Sequence, residues 1–99
     1  MFAVIRKYKG ATALIEALAT RREEIQSVMV GVTGLISYRA VRTADDGLVT
    51  ITICQTEAGA QESTQRAAAW VRENLPALAL EAPEVTSGTL FVELSGQGV

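Results

Sequence analysis

The spacing of apolar positions changes repeatedly along the 99-residue chain, and each change marks an element. Residues 2–8 are rich in Val, Ile and aromatic side chains and read as a strand. Lys9-Gly10-Ala11 interrupts it. From Thr12 the period becomes helical, with Leu14, Leu18, Ile25, Val28 and Met29 on one stripe. Glu16, Arg22, Glu23 and Gln26 fall on the opposite, solvated side. Thr12 is placed to cap this helix and Gly31 to end it. A second strand spans 35–42 and a third 48–55, joined by Asp45-Asp46-Gly47, a strong tight-turn signal. Thr56 can cap a second helix, where Glu57 complements the positive end of the helix dipole. That helix runs to about Leu75, with Ala60, Thr64, Ala67, Val71 and Leu75 inward and Pro76 discouraging continuation beyond a further turn over 77–80. Pro83 precedes a last strand over 85–94, and 95–99 form a tail.

This β-α-β-β-α-β order predicts an α+β, ferredoxin-like domain: a four-stranded antiparallel sheet with two helices on one face. The chain reads as one domain, with an ordered core over 1–94. The sheet face away from the helices needs a cover. In the third strand Val49, Ile51 and Ile53 match the helices, leaving Thr50, Thr52 and Cys54 opposite. Phe2, Val4 and Phe91 are then expected on the open face. A bare, solvated face would carry more Lys, Glu and Arg. Burial against a second copy through a two-fold axis is the simplest solution, so a homodimer is expected.

Composition narrows the function classes. A net charge of −2, with Lys and Arg scattered outside Arg6, Lys7 and Lys9, provides no basic stripe for nucleic acid. The first half is mildly positive and the second mildly negative. No apolar run reaches the roughly 18–20 residues of a membrane span. Residues 1–5 are apolar ahead of Arg6-Lys7, the reverse of a secretory signal, so a cytoplasmic protein is expected. Cys54 is the only cysteine and there is no histidine. Intrachain disulfides, His-dependent metal sites and His-activated nucleophiles are therefore excluded.

The stretch Gly34-Leu35-Ile36-Ser37-Tyr38-Arg39-Ala40-Val41-Arg42, the hairpin through Asp45-Asp46-Gly47 with its strand to Ile53, and Thr56-Glu57-Ala58-Gly59-Ala60 resemble the antibiotic-biosynthesis monooxygenase domain of the dimeric α/β-barrel superfamily. The resemblance covers nearly the whole chain. It implies a homodimeric barrel with a pocket between sheet and helices in each subunit. It also implies oxygenation of aromatic molecules without metal or flavin, so no cofactor is expected. The chain departs from the family where a histidine often opens the second helix, reading Gln61-Glu62-Ser63-Thr64 instead. The haem-degrading branch has an Asn, a Trp and a His; here Arg6-Lys7 occupies the Asn region and Trp70 alone can correspond.

Five residues are candidates for the pocket. Tyr38 offers a phenol to a substrate oxygen, and Trp70 a flat wall with one N–H donor; either also suits simple packing. Arg6 and Glu93 fall on neighbouring strands and are expected to pair if they face the interior, because an isolated buried charge is costly. Otherwise Arg6 is placed to steady an anion. Phe91 completes the set. No residue is identified as catalytic, and the competing reading is a non-enzymatic dimeric ligand-binding or structural module.

Overall fold

The computed structural model describes residues 1–76, 82–94 and 96. The elements are β1 (Phe2–Tyr8), α1 (Thr12–Thr20), α2 (Arg22–Val30), β2 (Leu35–Arg42), β3 (Leu48–Cys54), α3 (Glu57–Asn74) and β4 (Glu84–Thr89). The strands form one antiparallel sheet in the order β2-β3-β1-β4, the ferredoxin-like arrangement. The further turn expected over 77–80 lies outside the described residues, as does the tail apart from Gly96. No described helix is long and apolar enough to cross a membrane.

The first helical stretch is two helices, broken at Arg21 (φ −113°, ψ 37°). Local chemistry accounts for the break. Thr20 Oγ1 donates back to the Glu16 carbonyl at 2.9 Å, an interaction that bends helices. Arg21 meanwhile reaches α3, donating to Asn74 Oδ1 at 2.8 Å with its guanidinium over the Trp70 ring. The cap at Thr56 is as expected, its hydroxyl accepting from the Gly59 N–H at 3.1 Å. At α1 the cap position is Ala11, not Thr12. Gly31 stays right-handed at φ −72°, and the left-handed residue is Gly34. The hairpin forms with Asp46 at φ 57°, while Gly47 is tightly enclosed: a Cβ there would sit 2.6 Å from Thr43 Oγ1.

The two sheet faces are opposite to the expectation. Residues paired across an antiparallel ladder share a face. The pairs Val4↔Thr52, Arg6↔Thr50 and Tyr8↔Leu48, together with Cys54, lie under the helices. Phe2 packs there as well. The open face instead carries Ala3, Ile5 and Lys7 from β1 and Val49, Ile51 and Ile53 from β3, with Ser37, Arg39 and Val41 beside them. The cause is Arg6, whose guanidinium is buried and requires the polar, hydroxyl-bearing side of β3 beneath the helices. The open face is consequently more apolar than the sequence reading allowed.

The last strand is shorter than expected. Its ladder with β1 ends at Phe2↔Thr89, with one further bond from the Leu90 N–H to the Met1 carbonyl at 3.0 Å. Residues 91–94 pair with no described strand.

Candidate functional site

Beneath α3 lies a buried polar cluster centred on Arg6, which is 1% exposed. Its Nη2 donates to Ser63 Oγ and Thr64 Oγ1, both at 2.8 Å. Nε also reaches Thr64 Oγ1, at 3.3 Å. Nη1 donates to Thr52 Oγ1 at 3.2 Å and lies 3.5 Å from Thr50 Oγ1. Among the described residues no carboxylate pairs with it. The expected Arg6–Glu93 pair is absent: Arg6 stands opposite Val85 in the ladder, and Glu93 lies beyond β4, exposed. Four hydroxyls on β3 and α3 therefore take the place of water around a cation. Burial pulls the Arg6 pKa down, against opposing contributions from Tyr8, Tyr38 and Cys54.

Beside this cluster a groove of about 710 Å³ runs between α1–α2 and β2. Ile15, Leu18, Ile25, Met29 and Leu48 give it apolar walls; Arg22, Gln26 and Arg42 supply its polar lining. Tyr38 lines both the groove and a small, partly open void of about 30 Å³, which Tyr8, Thr50 and Trp70 also border. That void has room for one water. Neither tyrosine hydroxyl has a hydrogen-bond partner among the described residues, and among these residues no buried side-chain oxygen or nitrogen is left unsatisfied. Burial pushes both phenol pKa values up, opposed in each case by Arg6. At neutral pH both are neutral O–H groups, able to donate to an oxygen of a guest molecule.

The structure thus brings Tyr38 and Trp70 to one interior region and puts Arg6 behind them, enclosed. Trp70 is 6% exposed and reaches the void rather than the groove. Phe91 is 91% exposed and, like Glu93, stands away from the groove. Sequence reasoning does not single out Tyr8, Ser63 or Thr64, and it reads Thr50 and Thr52 as strand residues first and pocket hydroxyls second. The available signal was Ser63-Thr64 on the inner stripe of α3, facing a strand with alternate threonines. Among the described residues no group of three His, Cys, Asp or Glu side chains converges as a metal site.

No family model and no curated protein matches the chain. Solved structures do match in fold. A protein of unknown function from Nitrosomonas europaea is 18% identical, with 98% of this chain and 95% of that one covered at a TM-score of 0.71. A monooxygenase from Streptomyces coelicolor, in complex with nanaomycin D, is 17% identical over 97% and 92%, at 0.68. A dimeric ferredoxin-like protein from an uncultured marine organism is 11% identical over 96% and 97%, at 0.70. The fold is that of the antibiotic biosynthesis monooxygenase-like proteins with ferredoxin-like architecture, across most of the chain.

Proposed function

We propose that the protein binds a small aromatic or otherwise apolar molecule in the groove between α1–α2 and the sheet, and that it does so as a homodimer joined through the open sheet faces. The observation that carries the binding reading is the groove itself: about 710 Å³, apolar-walled, with the unpartnered Tyr38 phenol at its inner side. Such a concave apolar site with a few polar groups is the usual form of a ligand pocket. The dimer reading is supported by the half-buried Ile5, Val49 and Ile51 clustering on a face that the chain's own helices do not cover.

The chemistry this arrangement suits is oxygenation on a phenolic substrate that supplies its own electrons. One oxygen atom of O₂ enters a ring C–H position to give a quinone; the other leaves as water with the two displaced hydrogens. The protein's part is to hold the ring, donate a hydrogen bond from Tyr38 and provide the positive field of Arg6, which favours the phenolate form of the guest. The bound nanaomycin D of the Streptomyces coelicolor monooxygenase is consistent with an aromatic guest.

The test titrates the protein with a dihydroxynaphthalene, following the fluorescence of Trp70, the sole tryptophan. Saturable binding at one molecule per chain is expected. Ala40→Phe, which fills the groove from an exposed strand position, should weaken it at least tenfold. Tyr38→Phe should slow oxygen uptake more than it weakens binding. Absence of saturable binding would overturn the ligand reading. Binding without oxygen uptake would leave a carrier module.

A further inference from the structure

The buried cation of Arg6 also borders a second groove, which the binding reading above does not use. Phe2, Val4 and Arg6 of β1 stand opposite Thr89, Ser87 and Val85 of β4, so these six side chains share the helix side of the sheet. α3 covers the β1 row but leaves the β4 row exposed, Val85 at 49%. The gap between α3 and β4 is a groove of about 560 Å³, separated by α3 from the one beside β2. Ala68, Val71 and Leu75 of α3 face Pro83 and Val85 across it and make its walls apolar. The enclosed Arg6 and the half-buried Thr64 lie at its floor and the exposed Arg72 at its rim. Among the described residues no Asp or Glu lines it. Hydroxyls take up the N–H donors of Arg6, so its hydrogen bonds are met while its charge is not. Thr64 relays that charge to the groove. Its Oγ1 accepts from Nη2 at 2.8 Å and from Nε at 3.3 Å, while its own O–H reaches only the Ala60 carbonyl, at a long 3.4 Å. A hydroxyl that accepts from a cation is polarised into a stronger donor.

We propose that the groove between α3 and β4 binds an apolar carboxylic acid in its ionised form, the carboxylate accepting from the Thr64 hydroxyl and facing Arg72, the apolar body lying along Val71, Leu75 and Val85. Charge complementarity selects the anion. A buried cation without a counter-ion favours negative charge beside it, because its low-dielectric surroundings screen it less than water does. The walls select the body: an apolar surface rewards burial of a hydrocarbon chain or ring, and it would strip water from a polyanion such as phosphate without replacing its hydrogen bonds. One hydroxyl and one rim guanidinium suit a single carboxylate at one end of an otherwise apolar molecule.

The test titrates isotope-labelled full-length chain with octanoate, and with octanol as the neutral molecule of the same length. Octanoate should bind saturably at one molecule per chain, shifting the Leu75 and Val85 methyls and the Thr64 amide while the Ile25 and Met29 signals stay in place. Octanol should bind at least about tenfold more weakly, the usual worth of a hydrogen bond to a charged group. Thr64→Val should weaken octanoate by a similar factor, and Thr64→Ser, which keeps the hydroxyl, should retain it. Val85→Glu sets a carboxylate opposite Arg6 from an exposed edge-strand position, so it should abolish octanoate binding with the circular dichroism of the fold unchanged. It reads the proposal without touching the hydroxyls around Arg6. Equal affinity for octanoate and octanol would overturn the anion site. Octanoate affinity unchanged by Val85→Glu would overturn it too, as would absence of saturable binding or shifts confined to the groove beside β2.

Discussion

Removing the Arg6 side chain's hydrogen bonds should be at least as damaging as removing one oxygen that solvates it. Arg6 is enclosed, with Ser63, Thr64 and Thr52 accepting its hydrogen bonds at 3.2 Å or closer. Desolvating an unpaired cation costs several kcal/mol. Hydrogen bonds to a charged group return about 1.5–3 kcal/mol each. The two sides nearly balance, but Arg6→Met also leaves Thr50 and Thr52, both buried, without a partner, at about 1–3 kcal/mol each, so it should cost about 2–6 kcal/mol. Ser63 and Thr64 keep the Ala60 carbonyl as an alternative partner. Thr52→Val differs, because it keeps the buried cation and deletes one of its acceptors. That loss should cost about 1.5–3 kcal/mol. Urea denaturation at fixed protein concentration measures both. With a slope of about 1–2 kcal/mol/M for a chain of this size, Thr52→Val should lower the midpoint by about 1–2 M. The reasoning fails if Arg6→Met loses less than about 1 kcal/mol and Thr52→Val less than about 0.5, since that pattern would mean these hydroxyls do not solvate a buried charge.

The protein has only two tyrosines, and burial raises both phenol pKa values above the ordinary 10. In alkali the unfolded chain loses these protons before the folded one, so the tyrosine contribution to stability falls as pH rises past 10. Tyrosinate absorbance of the folded protein should lag that of the urea-unfolded protein; coincident curves would contradict the burial of both rings. Gly59→Ala should destabilise by about 1–3 kcal/mol, because a Cβ there collides with the Thr33 carbonyl oxygen at the point where α3 meets the loop before β2. Thermal unfolding reads this, and an unchanged Tm would show that the loop yields freely.

Most of the architecture is legible in the sequence, because strand composition, the Asp46-Gly47 turn and the Thr56 cap are local signals. The strands fall within a residue of expectation except β4, where non-local pairing decides. Phe91, Val92 and Leu94 have strand-like side chains, but no described strand lies alongside to pair them. The sheet faces were inverted for a physical reason. The alternation Val49, Ile51, Ile53 against Thr50, Thr52, Cys54 shows two faces but not which is inside, and hydrophobicity alone selects the isoleucines. One buried arginine reverses that choice by demanding hydroxyls around it. The same inversion hid the shell of Arg6 and placed Phe2 and Val4 on the wrong side. Tyr38 and Trp70 stand out in the sequence because aromatic residues with a polar handle are few in this chain. The groove was not, since it depends on α1 and α2 meeting at Arg21.

Ligand-induced NMR shifts test the central claim most directly. With saturating dihydroxynaphthalene, the largest changes should fall on Leu18, Ile25, Met29 and Tyr38, followed by the Trp70 indole N–H. Shifts scattered over the exterior, or confined to the open sheet face, would contradict a ligand site between helices and sheet.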